Sequence, residues 1–135
     1  MDYKTARSFL ISQATASDQN IDAFLVRLKL GKAPVPGQVT NILLALKMVF
    51  EGLQSSPTID RELIYSLYLL SFESRQRFEA GRQAGIDWPP LLDEDLKRIA
   101  RAVKSIYAGT WQDKWVIFWG GCLFTLVLAI AQFCF

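Results

Sequence analysis

Along the chain, stretches whose apolar residues fall at helical spacing alternate with short breaks rich in Gly, Pro and Ser. Sustained period-two alternation, the mark of a half-buried strand, is missing. Tyr3, Ala6, Phe9, Leu10 and Gln13 predict a first, weakly amphipathic helix. Ile21, Phe24, Leu25 and Leu28 recur at i, i+3, i+4 and i+7 and predict a second, capped by Ser17 or Asp18 and closed by Gly31. The following KAPVPG, Lys32 to Gly37, holds too much Pro and Gly for regular structure. A third helix is predicted from Gln38 to Leu53, with Val39, Ile42, Leu43, Leu46, Val49, Phe50 and Leu53 facing inward.

After Ser55-Ser56-Pro57, Thr58 is the expected N-cap of a long fourth helix, with Glu62 placed favourably near its positive end. Its first half, LIYSLYLLSF from Leu63 to Phe72, is apolar nearly all round and predicts a central helix covered on several sides. From Glu73 to Gln83 the pattern turns polar, so the second half is expected to project past the core into water or toward a partner. Gly85 ends it. Ile86-Asp87-Trp88-Pro89-Pro90 then makes a stiff connector in which the following proline holds Trp88 extended. A fifth helix starts near Leu91 or Leu92, with Leu96, Ile99, Ala100, Val103 and Ile106 as its buried stripe. Asp93, Glu94 and Asp95 open it and Lys97, Arg98, Arg101 and Lys104 follow, the order a helix dipole favours. Gly109 separates this helix from what comes next. The expected fold class is all-α: a bundle of about five helices over residues 1–109, then residues 110–135 as a segment of another kind.

That segment changes the picture. From Trp115 to Phe135 the chain reads WVIFWGGCLFTLVLAIAQFCF without a charged residue. As a helix it would span about 31 Å, against a hydrocarbon core of roughly 30 Å, and the buried helices of soluble proteins seldom run this far without a charge. A single transmembrane helix is therefore expected. Thr110 and Asp113 have the spacing of a capping box at its start. Trp111, Trp115 and Trp119 recur every four residues, the first two suiting an interfacial aromatic belt and the third about one turn deeper. Between Lys97 and Lys114 the basic residues Lys97, Arg98, Arg101, Lys104 and Lys114 face only Asp113 as an acid, so the positive-inside bias leaves the bundle in the cytoplasm. Since the run reaches the last residue, the expectation is a tail-anchored, single-pass chain inserted after synthesis. Gly121, Thr125 and Ala129 form a small-xxx-small line on one face of the span, the pattern that lets a second helix pack closely in lipid. Gly120 widens that groove and Gln132 is available as a donor near the far end. The same small residues are also common in spans that pair with nothing.

Composition excludes more than it assigns. The apolar fraction of 51% owes its excess to the final segment, and a net charge of +2 gives no argument for nucleic acid. There is no histidine, which removes the commonest general base and metal ligand together. The two cysteines, Cys122 and Cys134, lie about 18 Å apart along one helix and cannot pair with each other. The N-terminus, MDYKT, lacks the basic start and apolar core of a signal peptide. Asp93-Glu94-Asp95 is better explained by the helix dipole than by catalysis, which needs carboxylates in contrasting environments. No Ser-x-x-Lys accompanies the serines, and Gly81-Arg82-Gln83-Ala84-Gly85 lacks the lysine of a phosphate loop. The expectation is no enzyme, no metal and no cofactor. Two basic groups are candidate recognition elements: Lys97, Arg98, Arg101 and Lys104 for an anionic leaflet, and Arg75, Arg77 and Arg82 for an acidic partner. Neither is interleaved with aromatics as a nucleic-acid platform requires.

The stretches PVPGQVTNILLALKMVFEGL, PTIDRELIYSLYLL and FEAGRQAGIDWPPLLDEDLKRIA resemble a family of short cyanobacterial proteins, over roughly residues 1–110. Some of its members carry the name dethiobiotin synthetase, an activity that needs a nucleotide-binding α/β domain with a P-loop; this sequence has neither strands nor that loop. What the resemblance implies is a cyanobacterial membrane, the thylakoid or the plasma membrane. The expected function is that of an accessory or adaptor protein. Its bundle would bind a partner at the cytoplasmic face, and its span would dock on a larger membrane complex, photosynthetic if the resemblance holds, or on a second copy. The alternative is a carrier that encloses a pigment or lipid between the third and fourth helices.

Overall fold

In the computed structural model, which describes residues 1–15 and 20–111, the chain is all-helical. Helix α1 covers Tyr3–Ala14, α2 Phe24–Lys29 and α3 Gln38–Gly52. Helix α4 is one continuous rod in three parts: α-form over Arg61–Tyr68, a π-helical stretch at Leu69–Glu73, and α-form again over Ser74–Gln83. Helix α5 covers Leu92–Ala108. Four of them close a square. Helix α1 packs on α3 and on the first part of α4, and α5 packs on α3 and on the π-helical stretch, so α1 and α5 stand diagonally opposite. The short α2 packs on α1 and on the last part of α4.

The square forms because each helix carries one apolar stripe. Leu10, Ile42, Leu46, Leu63, Leu67, Leu70 and Ile99 are fully enclosed, with Phe24 and Leu28 of α2 sealing one end. Each such side chain contributes about 1.5–3 kcal/mol relative to exposure. Two glutamines are buried among them. Gln38 Nε2 donates to Gln13 Oε1 at 2.6 Å and to the Asp22 carbonyl at 2.8 Å, and Phe24 N–H donates to Gln13 Oε1 at 3.1 Å. With Val35 N–H donating to Gln38 Oε1 at 3.0 Å, this network fixes the chain on both sides of α2. It also explains how α2 starts without a side-chain cap of its own: Gln13 of α1 takes its first amide.

Several expectations are corrected. Helix α2 starts at Phe24, leaving Ile21 exposed, while Ser17 and Asp18 lie outside the described residues. The cap of α4 is Asp60, not Thr58: Leu63 N–H donates to Asp60 Oδ1 at 2.8 Å. Arg7 decides this, since its Nε donates to Asp60 Oδ2 at 2.9 Å and its Nη2 to Glu62 at 3.0 Å. The pairing with Arg7, then the Leu63 amide, holds the Asp60 carboxyl below the usual range. The first half of α4, expected to be covered on several sides, has neighbours on part of its circumference and one open stripe. Leu63, Ser66, Leu67 and Leu70 are buried, whereas Ile64, Tyr65, Tyr68 and Phe72 stand in solvent. The second half, expected to project, instead packs on α2, and Ser74, Phe78 and Gly81 are buried. Trp88 lies over Gly81 and beside Phe78, ring centroids 5.9 Å apart, and its Nε1 donates to the Phe78 carbonyl at 2.9 Å.

Candidate functional site: the face around α5

Helix α5 ends where Gly109 turns left-handed, φ +76°, and donates its N–H to the Ser105 carbonyl at 2.9 Å. A side chain at that φ is strained, which is why glycine stands there. The turn sends the chain back over α3. Trp111 packs edge-on against Phe50, ring centroids 5.1 Å apart, and the Lys47 ammonium sits 4.2 Å from the Trp111 ring centre. Trp111, which the sequence assigns to an interfacial belt, is partly buried and clasps the core with its indole. Lys114, Trp115 and the line Gly121, Thr125 and Ala129 lie outside the described residues.

On α5 the basic residues divide into two sets. Lys97 pairs with Asp93 at 3.2 Å and with Glu94 at 3.5 Å, and Arg98 pairs with Asp95 at 3.5 Å. The Asp93 carboxylate raises the Lys97 pKa, and Arg75 first, then Lys97, lowers that of Asp93. Arg101 and Lys104, one and two turns nearer Gly109, have no carboxylate partner among the described residues. The acids of the first turn therefore neutralise the near half of the basic run and leave the far half uncompensated.

Beside Lys104 runs the exposed stripe of α4. Tyr107 Oη donates to the Ile64 carbonyl at 3.2 Å, and Arg75 pairs with Asp93 at 2.5 Å, so α4 and α5 lie antiparallel along this flank. Tyr107, Lys104, Ala100, Lys97 and Asp93 follow one another at three- and four-residue steps on the edge of α5 next to α4. Burial raises the Tyr107 hydroxyl's pKa. Tyr68 and Phe72 stack at 5.2 Å, each nearly half exposed at 46% and 47%. The π-helical stretch begins right after Tyr68 and includes Phe72, and two serines bond back along it: Ser71 Oγ donates to the Leu67 carbonyl at 2.9 Å and Ser74 Oγ to that of Leu70. Nothing in the sequence announces this widened turn. The exposed aromatics at four-residue spacing were readable as a stripe, but not as an uncovered one.

The arginine group does not form one surface. Arg75 is held by Asp93 and Glu79, Arg82 by Glu79, and both guanidiniums lie over the Phe78 ring at 5.2 and 5.4 Å. Arg77 sits about 200° round the helix from Arg75 and has no acidic partner among the described residues. The carrier reading placed a ligand between the third and fourth helices, but α1 packs on both of them. A groove of about 240 Å³ lies elsewhere, between the loops at Pro34–Gly37 and Pro89–Leu92. It is smaller than the roughly 300–1,000 Å³ that enclose a drug-sized ligand, so it gives that reading no support.

Among the described residues no group of His, Cys, Asp or Glu is placed to hold a metal, and no helix is long and apolar enough to cross a membrane. The run from Trp115 to Phe135 lies outside them. Comparison with family models, with curated proteins and with solved structures gave no match.

Proposed function

We propose that this protein is a non-enzymatic adaptor, held to a membrane by Trp115–Phe135 with its helical bundle in the cytoplasm, and that it recruits or steadies a partner there. The observation that carries the reading is the uncharged run of residues 115–135. It begins only four residues after Trp111, a reach of at most about 14 Å, so the start of the run stays near one corner of the bundle. Arg101 and Lys104, without a carboxylate partner among the described residues and lying toward that corner, add the charge asymmetry that orients such segments. The resemblance to short cyanobacterial proteins makes the thylakoid or the plasma membrane the proposed site, and Gly121, Thr125 and Ala129 the proposed contact for a second span.

Two measurements test this. The tagged full-length chain should remain in the membrane fraction after alkaline carbonate extraction; release into the supernatant refutes the anchor. An affinity pull-down from solubilised membranes, run beside a chain truncated after Trp111 so that the clasp is kept, then separates the two halves. Partners lost on truncation place recognition in the span, and partners retained place it in the bundle. Recovery of a lone monomer from the full-length chain in mild detergent counts against the adaptor role.

A further inference from the structure

We infer that the bundle does not stand upright on its anchor but lies on its side, with the α4–α5 face against anionic lipid headgroups. The inference rests on the membrane reading above and adds the surface and the lipid class. Three observations converge on that face. Its rim is aromatic, with Tyr68, Phe72 and Tyr107 each close to half exposed, at 46%, 47% and 48%. Rings with one wet and one apolar side are the side chains that settle at headgroup depth. Its ridge carries Lys104, with Arg101 about 60° round on the outer side of α5, both uncompensated among the described residues, whereas the acid Asp93 at the same edge is already paired with Arg75 and Lys97.

The third observation is chain continuity. The uncharged run starts within about 14 Å of Trp111, and Trp111 is clasped on α3, the neighbour of α5 on its other side. The bilayer entry point thus lies near the Gly109 end of α5, the end that carries Lys104 and Tyr107. Lipid fits this surface better than a second copy does. An anionic leaflet supplies the missing negative charge along the whole ridge, whereas the acids a second copy could offer from its own α5, Asp93, Glu94 and Asp95, are already paired within their chain.

The two orientations differ most at Gln76, one turn beyond Phe72 on the same stripe and about 18 Å along α4 from Ile64. Upright, Gln76 is remote from lipid; on its side, it touches headgroups. The test uses the full chain with Cys122→Ala and Cys134→Ala, a fluorophore on Gln76→Cys or, as control, on Ser8→Cys of the opposite helix α1. The chain is reconstituted in vesicles of phosphatidylcholine with phosphatidylglycerol that carry a nitroxide-headgroup lipid. Flotation is scored first.

In floated vesicles the Gln76 label should be quenched and the Ser8 label spared. Arg101→Gln with Lys104→Gln should lower the ratio of docked to undocked bundle about thirtyfold and relieve the quenching. A floated chain whose Gln76 label is unquenched and open to aqueous iodide overturns the side-on arrangement and leaves the anchor intact. A Gln76 label shielded from both quenchers overturns it in favour of a second copy on the stripe. A chain that does not float removes the membrane reading and this inference with it.

Discussion

Replacing Gly81 by Ala sets two effects of known size against each other, and the structure predicts which one wins. Gly81 lies inside a regular helical turn with no positive φ, so an alanine there should gain about 1 kcal/mol of helix propensity. The added methyl, however, would overlap Cζ2 of Trp88, with Cε2 at 2.9 Å and Nε1 at 3.0 Å. The indole has no easy retreat. It is stacked on Phe78, and its Nε1 donates to the Phe78 carbonyl at 2.9 Å. Moving it sacrifices a hydrogen bond worth about 1 kcal/mol, and overpacking typically costs about 1–3 kcal/mol. We therefore expect Gly81→Ala to destabilise the chain by about 1–2 kcal/mol net. In a Trp88→Ala background the obstacle is gone, and the same substitution should stabilise by about 1 kcal/mol. The coupling between the two sites is then about 2–3 kcal/mol, well above the scatter expected of independent sites. Urea unfolding of the four chains in mild detergent, followed by circular dichroism at 222 nm, measures it. A stabilising Gly81→Ala in both backgrounds would show that the indole does not rest on Gly81.

Further outcomes follow from the polar contacts. Asp60→Ala should cost about 1–2 kcal/mol through loss of the α4 cap, while Thr58→Ala should stay within about 0.5 kcal/mol of wild type, both read from urea midpoints. Because Arg7 lowers the Asp60 pKa, the pair stabilises the fold above the ordinary carboxylate range and ceases to do so as pH falls through the folded pKa. The urea midpoint of Arg7→Met should accordingly fall less between pH 6 and pH 3 than that of wild type; an equal fall rejects the pairing. Gln13→Leu should cost about 2–3 kcal/mol, since it strips the Phe24 amide and Gln38 Nε2 of an acceptor, and Phe24 should show the largest gain in amide exchange.

Helices α3 and α5 were legible because their stripes are dense and their ends are marked, by the Gly37 turn before Gln38 and by Gly109 after Ala108. Asp60 was missed for a physical reason. Thr58 is an equally good cap locally, and the choice is made by Arg7, 53 residues away. The second half of α4 did carry a readable clue. Ser74, Phe78 and Gly81 sit at helical spacing within a polar stretch, but a serine and a glycine add little hydrophobicity to mark a buried face. The exposed stripe Ile64, Tyr65, Tyr68 and Phe72 shows the opposite limit. Periodicity reports that a helix has apolar sides, not how many of them find a neighbour. On α5 the basic run was visible from the sequence. Its division into Lys97 and Arg98, paired with acids, and Arg101 and Lys104, without a carboxylate partner among the described residues, follows from how far the first-turn carboxylates reach.

The Trp111 clasp also fixes a mechanical property of the molecule. A pull applied through the residues beyond it does not peel α5 away from its own end, because Gly109 has already reversed the chain and the load enters at Phe50 and Lys47 of α3. Helix α3 is gripped on both flanks, by α1 and by α5, so the force is shared between two helix interfaces. Twisting the following segment should accordingly turn the bundle as one body instead of spinning it on a swivel at Gly109.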